Sequence, residues 1–385
     1  MFGILKRGLA VALFSVTLAA CQVIPDGGRP TTTGPVDVPT DVPSDTILPT
    51  DDGRHRVALL VPLSGANGEV GQSIANATTM ALLDTNAENL RITTYDTSAD
   101  AGVAATRAIT DGNALILGPL GRESVAQVLA HARPAGIPLI TFSNDTGVAA
   151  RDVFVMGHVP EQSITRTVQF AVSQGARRFA ALVPNGEYGQ RAAAALQRAV
   201  TAAGAQFVAS ETYDRGNTSI VSAAGRLSEA GGFDTVLIGD GARLAAMAAG
   251  ELKEAGESLP SIIGPELWSG ETALTRNPSM RGAWFSAVSD ARYRQFVGSY
   301  EARFGNQPYR LATLGYDAVL LTLRIARDWE PGDRFPTNEL SDEGGFLGLD
   351  GPFRFSRDGV GERAFEVREV GEGTISVVDP APRQF

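Results

Sequence analysis

The sequence predicts an α/β protein of two lobes, each a parallel β-sheet sandwiched between helices, with a cleft between them. Three observations carry that expectation. Short apolar runs such as Val57 to Val61 stand between turn residues, as strands buried on both faces do. Stretches of helical periodicity separate these runs, so successive strands need crossovers and lie parallel. The alternation comes as two consecutive series with further elements behind them, so the chain enters a second lobe and returns. A chain of 385 residues is long enough for two such lobes.

The body opens with RVALLVPL over 56–63, closed by Ser64-Gly65, with a helical pattern from about residue 71. A strand, a tight polar loop and a helix N-terminus together present backbone N–H groups suited to a small anion. A strand follows over 90–95, ending at Asp96, then a helix over 102–110. The next strand, 114–117, ends in Gly118-Pro119-Leu120-Gly121. A helix over 124–133 leads to a strand over 137–142, which ends in Ser143-Asn144. After an apolar stretch at 154–156 the second series begins with a helix over 161–174. Its strands are 179–183, 206–211, 235–238 and 261–263, and its further helices are 189–203, 220–230 and 242–255. A strand-like 283–288, helical stretches at 290–304 and 311–328, and a β-rich tail over 351–355, 364–370 and 374–378 complete the body. The expected division is a body over 55–378, with lobe 1 at about 55–157 plus about 288–378, lobe 2 at about 158–287, and a tail at 379–385. The cleft lies at the carboxyl ends of the strands.

Before the body, Lys6-Arg7 and the apolar run 8–18 read as a signal peptide over 1–20, with an apolar stretch too short to span a bilayer. Leu18-Ala19-Ala20-Cys21 resembles a bacterial lipobox. That resemblance implies cleavage before Cys21 and lipid attachment there, and Gln22 after it implies the outer membrane, facing the periplasm. Residues 21–54 then read as a lipidated, proline-rich tether with too few large apolar side chains to fold.

Composition excludes several functions. A formal charge of −10 argues against nucleic acid as a partner. Cys21 is the single cysteine, so neither a disulfide framework nor a cysteine metal site is available within the chain. The histidines, His55, His131 and His158, lack ligand spacing, and neither a metal nor a cofactor is expected. Nucleophile-elbow, phosphate-loop and dinucleotide signatures do not occur, and the expectation is a binding protein rather than an enzyme.

Several motifs, in order, resemble the type I periplasmic-binding-protein family, in its Leu/Ile/Val-binding branch. They are Val57 to Gly65 with Gly71-Gln72, Ile116 to Leu120, Gly136 to Ile140, Val183 to Gly189, Tyr316-Asp317-Ala318, and Phe346 to Phe355 with Asp358-Gly359. The resemblance covers roughly 56–378. With the lipobox and the tether, it is most similar to lipoproteins of the penicillin-binding-protein-activator group, which implies a peptidoglycan synthase as partner. The helical repeat domain that precedes this body in the gammaproteobacterial members is not matched here. The alternative implied role is the substrate-binding component of an amino-acid ABC transporter.

Amino-acid binders of this family hold the ligand carboxylate with first-lobe hydroxyls and backbone N–H groups, and its ammonium with a second-lobe carboxylate. By position the cleft candidates are Ser64, Leu120, Gly121, Arg122, Ser143 and Asn144 in the first lobe, and Tyr188, Asp240 and Glu266 in the second. Ser143 could donate to a carboxylate and Tyr188 could stack over the ligand. Asp240 or Glu266 could accept from an ammonium, or each could be a cap or a solvated loop residue. Arg122-Glu123 occupies a loop where the family has small hydroxyl residues, and Asp145 would repel a carboxylate. Either Arg122 replaces the hydroxyls as a bidentate clamp, or the cleft takes another ligand or none.

Overall fold

A computed structural model describes residues 53–255 and 259–385. The expected leader, Cys21 and all but the last two residues of the expected tether lie outside the described residues.

The first lobe is built from β1 (His55–Val61), α1 (Gly68–Thr85), β2 (Leu90–Asp96), α2 (Ala101–Thr110), β3 (Leu115–Leu117), α3 (Arg122–Ala135), β4 (Leu139–Thr141) and β5 (Val153–Val155). The five strands form one parallel sheet in the order β2-β1-β3-β4-β5. Val57 to Val61 are all fully buried, which is why that run carries no polar residue. The Asp100 carboxylate accepts from the amides of Gly102 and Val103 and caps α2.

The second lobe runs α4 (Pro160–Ser173), β6 (Arg178–Pro184), α5 (Glu187–Ala202), β7 (Gln206–Tyr213), α6 (Ser219–Ala230), β8 (Thr235–Ile238), α7 (Ala242–Ala255), β9 (Ser261–Gly264), α8 (Ala273–Arg276) and β10 (Trp284–Ala287). Its strands pair in parallel in the order β10-β9-β8-β6-β7. The chain then returns with α9 (Ala291–Phe304) and α10 (Ala312–Ile325). Leu314, Ala318 and Leu321 of α10 complete the first-lobe core beside Leu59, Ile140 and Phe154. A small antiparallel sheet of β11 (Phe346–Gly348), β12 (Gly351–Phe355) and β13 (Gly361–Arg363) packs Phe346, Phe353 and Phe355 into the same core.

The final strands, β14 (Glu366–Val370) and β15 (Ile375–Asp379), correct one expectation. They do not belong to the first lobe. β14 pairs antiparallel with β10 and β15 with β14, extending the second sheet to seven strands. The reason is the open edge of β10, whose backbone groups would otherwise face away unpaired. The chain therefore crosses between lobes three times, around 156–159, 288–290 and 364–365.

Both lobes open in the same way. A Cβ on Gly71 in α1 would lie 1.8 Å from the carbonyl oxygen of Pro62, and one on Gly189 in α5 would lie 1.8 Å from that of Pro184. Each opening helix therefore presses its first turns onto the carbonyl at the end of its strand, an approach only glycine permits.

Candidate functional site

A cavity of about 370 Å³ opens between the lobes, beside the three crossovers. The first lobe contributes Leu120 after β3, Phe142 and Asn144 after β4, and Arg310-Leu311 before α10. The second contributes Glu266, Leu267 and Ser269 after β9 and Ala287 at the end of β10. The crossovers themselves add His158, Val288 and Phe365. Most of the wall is apolar, with a few charged groups at fixed places, as in small-molecule sites generally.

Of the sequence candidates, the structure brings Leu120, Asn144 and Glu266 to this cavity. Glu266 sits on a short helical turn after β9. Its carboxylate accepts from the Ser163 hydroxyl at 2.8 Å, and its own amide donates back to that oxygen at 3.0 Å. Burial pushes the carboxyl up to about 7, against the Ser163 bond that favours the ionised form. The second-lobe acid is thus poised between neutral and charged.

The other candidates have different duties. Asp240 is buried and already engaged: it accepts from Tyr213 Oη at 2.6 Å, from Arg215 Nε at 2.9 Å and from the Gly241 amide at 2.8 Å. Its charge is already met by Arg215, and it does not line the cavity. Ser143 Oγ accepts from the Asp145 amide within its own loop. Gly121 precedes α3 on the surface, its carbonyl accepting from Val125. Tyr188 lies under the Arg215 guanidinium, 5.4 Å from ring centroid to Cζ, rather than in the cavity wall. Its buried hydroxyl lacks a hydrogen-bond partner, and burial raises its pKa, with the Glu266 charge adding to the effect.

Arg122 is not a clamp inside the cleft. Its Nη1 stands 3.0 Å from Asp145 and also contacts Glu187 at the start of α5, so it straps the two lobes together across the mouth. Beside it Arg191 of α5 pairs with Glu161 at 2.7 Å and donates to the Asn144 carbonyl at 2.7 Å, a second strap. Asp145, expected to repel an anion, has its charge offset by Arg122 and caps the turn at Thr146–Val148.

The loop after β1 also departs from expectation. The Leu63 amide donates to Asp96 Oδ1 and Ser98 Oγ, each at 2.9 Å, and the Ser64 amide donates to Ser98 Oγ at 2.9 Å. The anion suited to those N–H groups is the chain's own Asp96, whose carboxyl is lowered by the Ser98 and Leu63 bonds. Ser64 faces solvent and does not reach the cavity.

Sequence reasoning missed Arg310 and His158 as parts of this wall. Both are tied to Asp350, a carboxylate with no exposed surface. It accepts from Arg310 Nη1 at 2.6 Å and Thr313 Oγ1 at 2.9 Å, and pairs with His158 Nε2 at 2.8 Å. Burial alone would raise Asp350, but Arg310 and His158 outweigh it and hold the carboxyl well below the usual range. Burial drives His158 toward the neutral form against the pull of Asp350. Asp317 behind them is raised, by burial first and then by the Asp350 charge. The late motifs Tyr316-Asp317 and Leu349-Asp350-Gly351 were visible as motifs, but their pairing with residues 158 and 310 was not.

The family model described as periplasmic binding protein matches residues 55–374. The chain belongs to the periplasmic binding protein family. Membership points to the periplasm and to a group whose members typically bind ligands without transforming them. Solved members of this fold resemble the chain closely in architecture. A branched-chain amino-acid transporter periplasmic ligand-binding protein of Burkholderia xenovorans superposes with a TM-score of 0.69 at 16% identity, covering 86% of this chain and 94% of that one. The branched-chain amino-acid substrate-binding protein of Streptococcus pneumoniae, solved with isoleucine, gives 0.63 at 20%, covering 85% and 100%. A transporter solute-binding protein of Rhodopseudomonas palustris, solved with 3,4-dihydroxybenzoic acid, gives 0.66 at 19%, covering 87% and 98%. An uncharacterised protein of Rickettsia prowazekii is 26% identical over 185 residues, 48% of this chain and 50% of its own length. The chain thus spans about half the length of that curated relative.

Proposed function

We propose that this periplasmic binding protein is a non-enzymatic receptor that closes its two lobes on one small, largely apolar organic molecule, as the substrate-binding component of a transporter does. The observation that carries the reading is the cavity of about 370 Å³ walled by both lobes, apolar over most of its surface and edged by Arg310, His158 and Glu266. Relatives of the same fold were solved with isoleucine and with a hydroxybenzoic acid, molecules of a size such a cavity holds. Hinge closure is the mechanism, with the straps of Arg122 and Arg191 joining the lobes at the mouth.

A thermal-shift panel of amino acids and small organic acids tests this on the full-length protein. Binding at a hundredfold excess over Kd stabilises by about 2.7 kcal/mol, a shift of several degrees. The reading fails when every compound leaves the melting temperature unchanged.

A second reading is regulation of a peptidoglycan synthase, in the manner of penicillin-binding-protein activators at the outer membrane. It is favoured by the Cys21-Gln22 address and the proline-rich stretch behind it. Capture of a periplasmic synthase by the purified chain supports it, and a panel of synthases that all fail to bind removes it.

A further inference from the structure

We infer that Arg310 is the anion-recognition subsite of the cleft, and that a carboxylate seated there completes a polar network joining all three crossovers. The inference rests on the cleft being a ligand site and names the class of ligand, a small monocarboxylic acid with an apolar body.

Arg310 lines the cavity at the entrance to α10. Its Nη1 is used by Asp350 and Thr313. Its Nε and Nη2 are buried and have no hydrogen-bond partner. Asp290 Oδ1 stands 3.8 Å from Nη2, an ion pair without a hydrogen bond, and the other Asp290 oxygen is engaged by Arg368. Nε and Nη2 form one edge of the guanidinium, with two parallel N–H bonds spaced for the two oxygens of a carboxylate. Buried donors without acceptors are unfavourable, and an incoming acceptor removes that penalty. The plane is held in place by Tyr293, whose ring centroid lies 4.2 Å from Cζ. Leu120, Phe142, Leu311, Val288 and Phe365 supply the apolar remainder of the wall.

The position of Arg310 makes the subsite more than a local contact. Through Asp350 it meets His158 in the first crossover. Arg363, at the edge of the third, donates to the carbonyl of Met156 in the first and lies 3.7 Å from Asp350. Arg368 binds Asp290 and the Val288 carbonyl in the second, at 2.7 Å for the latter. Arg310 and its unfilled edge stand between these two groups, so an acceptor there joins the second crossover to the other two.

Isothermal titration of the full-length protein with isovalerate against isovaleramide, and with benzoate against benzamide, tests the subsite. The expected result is that at least one acid binds about 10-fold or more tightly than its amide. Arg310→Gln is expected to erase that preference, and Arg310→Lys to keep a counter-charge for Asp350 while weakening acid binding. Should Arg310→Gln fail to fold, the wild-type acid–amide comparison decides. Amide hydrogen exchange with bound acid is expected to slow at 156–159, 288–290 and 364–365 together. Equal binding of acid and amide, retained preference in Arg310→Gln, or protection confined to one crossover overturns the inference. Stabilisation only by neutral or cationic compounds overturns it while leaving the receptor reading standing, and absence of any cleft ligand overturns both.

Discussion

Replacing Glu266 by glutamine separates its charge from its hydrogen bonds. The side-chain amide oxygen of the Glu266→Gln variant still accepts from Ser163, and the Ser163 oxygen still accepts from the backbone amide, so the local geometry is kept. What is lost is titration. The folded carboxyl is raised to about 7 from 4.5 by burial. The folded state therefore holds this proton more tightly than the unfolded chain. Its stabilising contribution is complete below pH 4.5 and is lost as pH rises through 7. The gap between the two pKa values, at about 1.4 kcal/mol per pH unit, is worth at most roughly 3.5 kcal/mol, trimmed by whatever water enters the cavity. Urea unfolding of wild type and Glu266→Gln at about pH 5 and about pH 8 reads it directly. The variant is expected to gain roughly 2 kcal/mol on the wild type between those pH values, other titrating groups cancelling in the comparison. A difference between the two proteins that stays the same at both pH values, or that favours the wild type at the higher pH, refutes the burial argument.

The same group discriminates ligand types: an amino acid whose ammonium sits at Glu266 ionises it and releases a proton at about pH 6, whereas a simple acid does not. Titration in buffers of different ionisation enthalpy counts that proton, and its absence with a tightly bound amino acid removes Glu266 from the ammonium site. Asp350→Asn leaves Arg310 and Arg363 facing each other without their shared buried counter-charge, and is expected to cost about 3–5 kcal/mol by urea unfolding; a cost below about 1 kcal/mol contradicts the network. Gly71→Ala drives a methyl group into the Pro62 carbonyl and should cost at least about 2 kcal/mol, whereas an unchanged midpoint shows that α1 can move away. Arg122→Ala breaks an exposed strap, so stability should fall by less than about 1 kcal/mol while the radius of gyration from solution scattering increases; an unchanged radius means the strap does not hold the lobes. Cys21→Ser is expected to move the protein from the membrane to the soluble fraction, and continued membrane association excludes lipid attachment there.

The architecture was legible because buried parallel strands leave a clear trace. Runs such as Val57 to Val61 and Phe179 to Val183 admit no polar residue, and the intervening helices announce the crossovers. The destination of β14 and β15 was not legible, because a strand's own residues do not say which open edge it will join. At the site, position after a strand pointed to Leu120, Asn144 and Glu266, which line the cavity, but could not tell them from Asp240, which is paired with Arg215 away from it. The anion cradle after β1 misled for the same reason: its acceptor, Asp96, comes from the next strand. Arg310 and His158 escaped because their significance lies in Asp350, 40 and 192 residues away along the chain. Burial of a charge is a property of the assembled fold, and local sequence holds no record of it.

The central claim is that the space between the lobes is a ligand site. Isothermal titration of the full-length protein with leucine, isovalerate and benzoate, wild type beside Leu267→Trp, tests it most directly. Leu267 lines the cavity yet is 41% exposed, so the larger side chain fills the site without disturbing a core. The account predicts saturable binding of at least one of the three at about one molecule per chain, and its loss in Leu267→Trp. Binding that survives the filled cavity, or no binding of any of the three to the wild type, contradicts it.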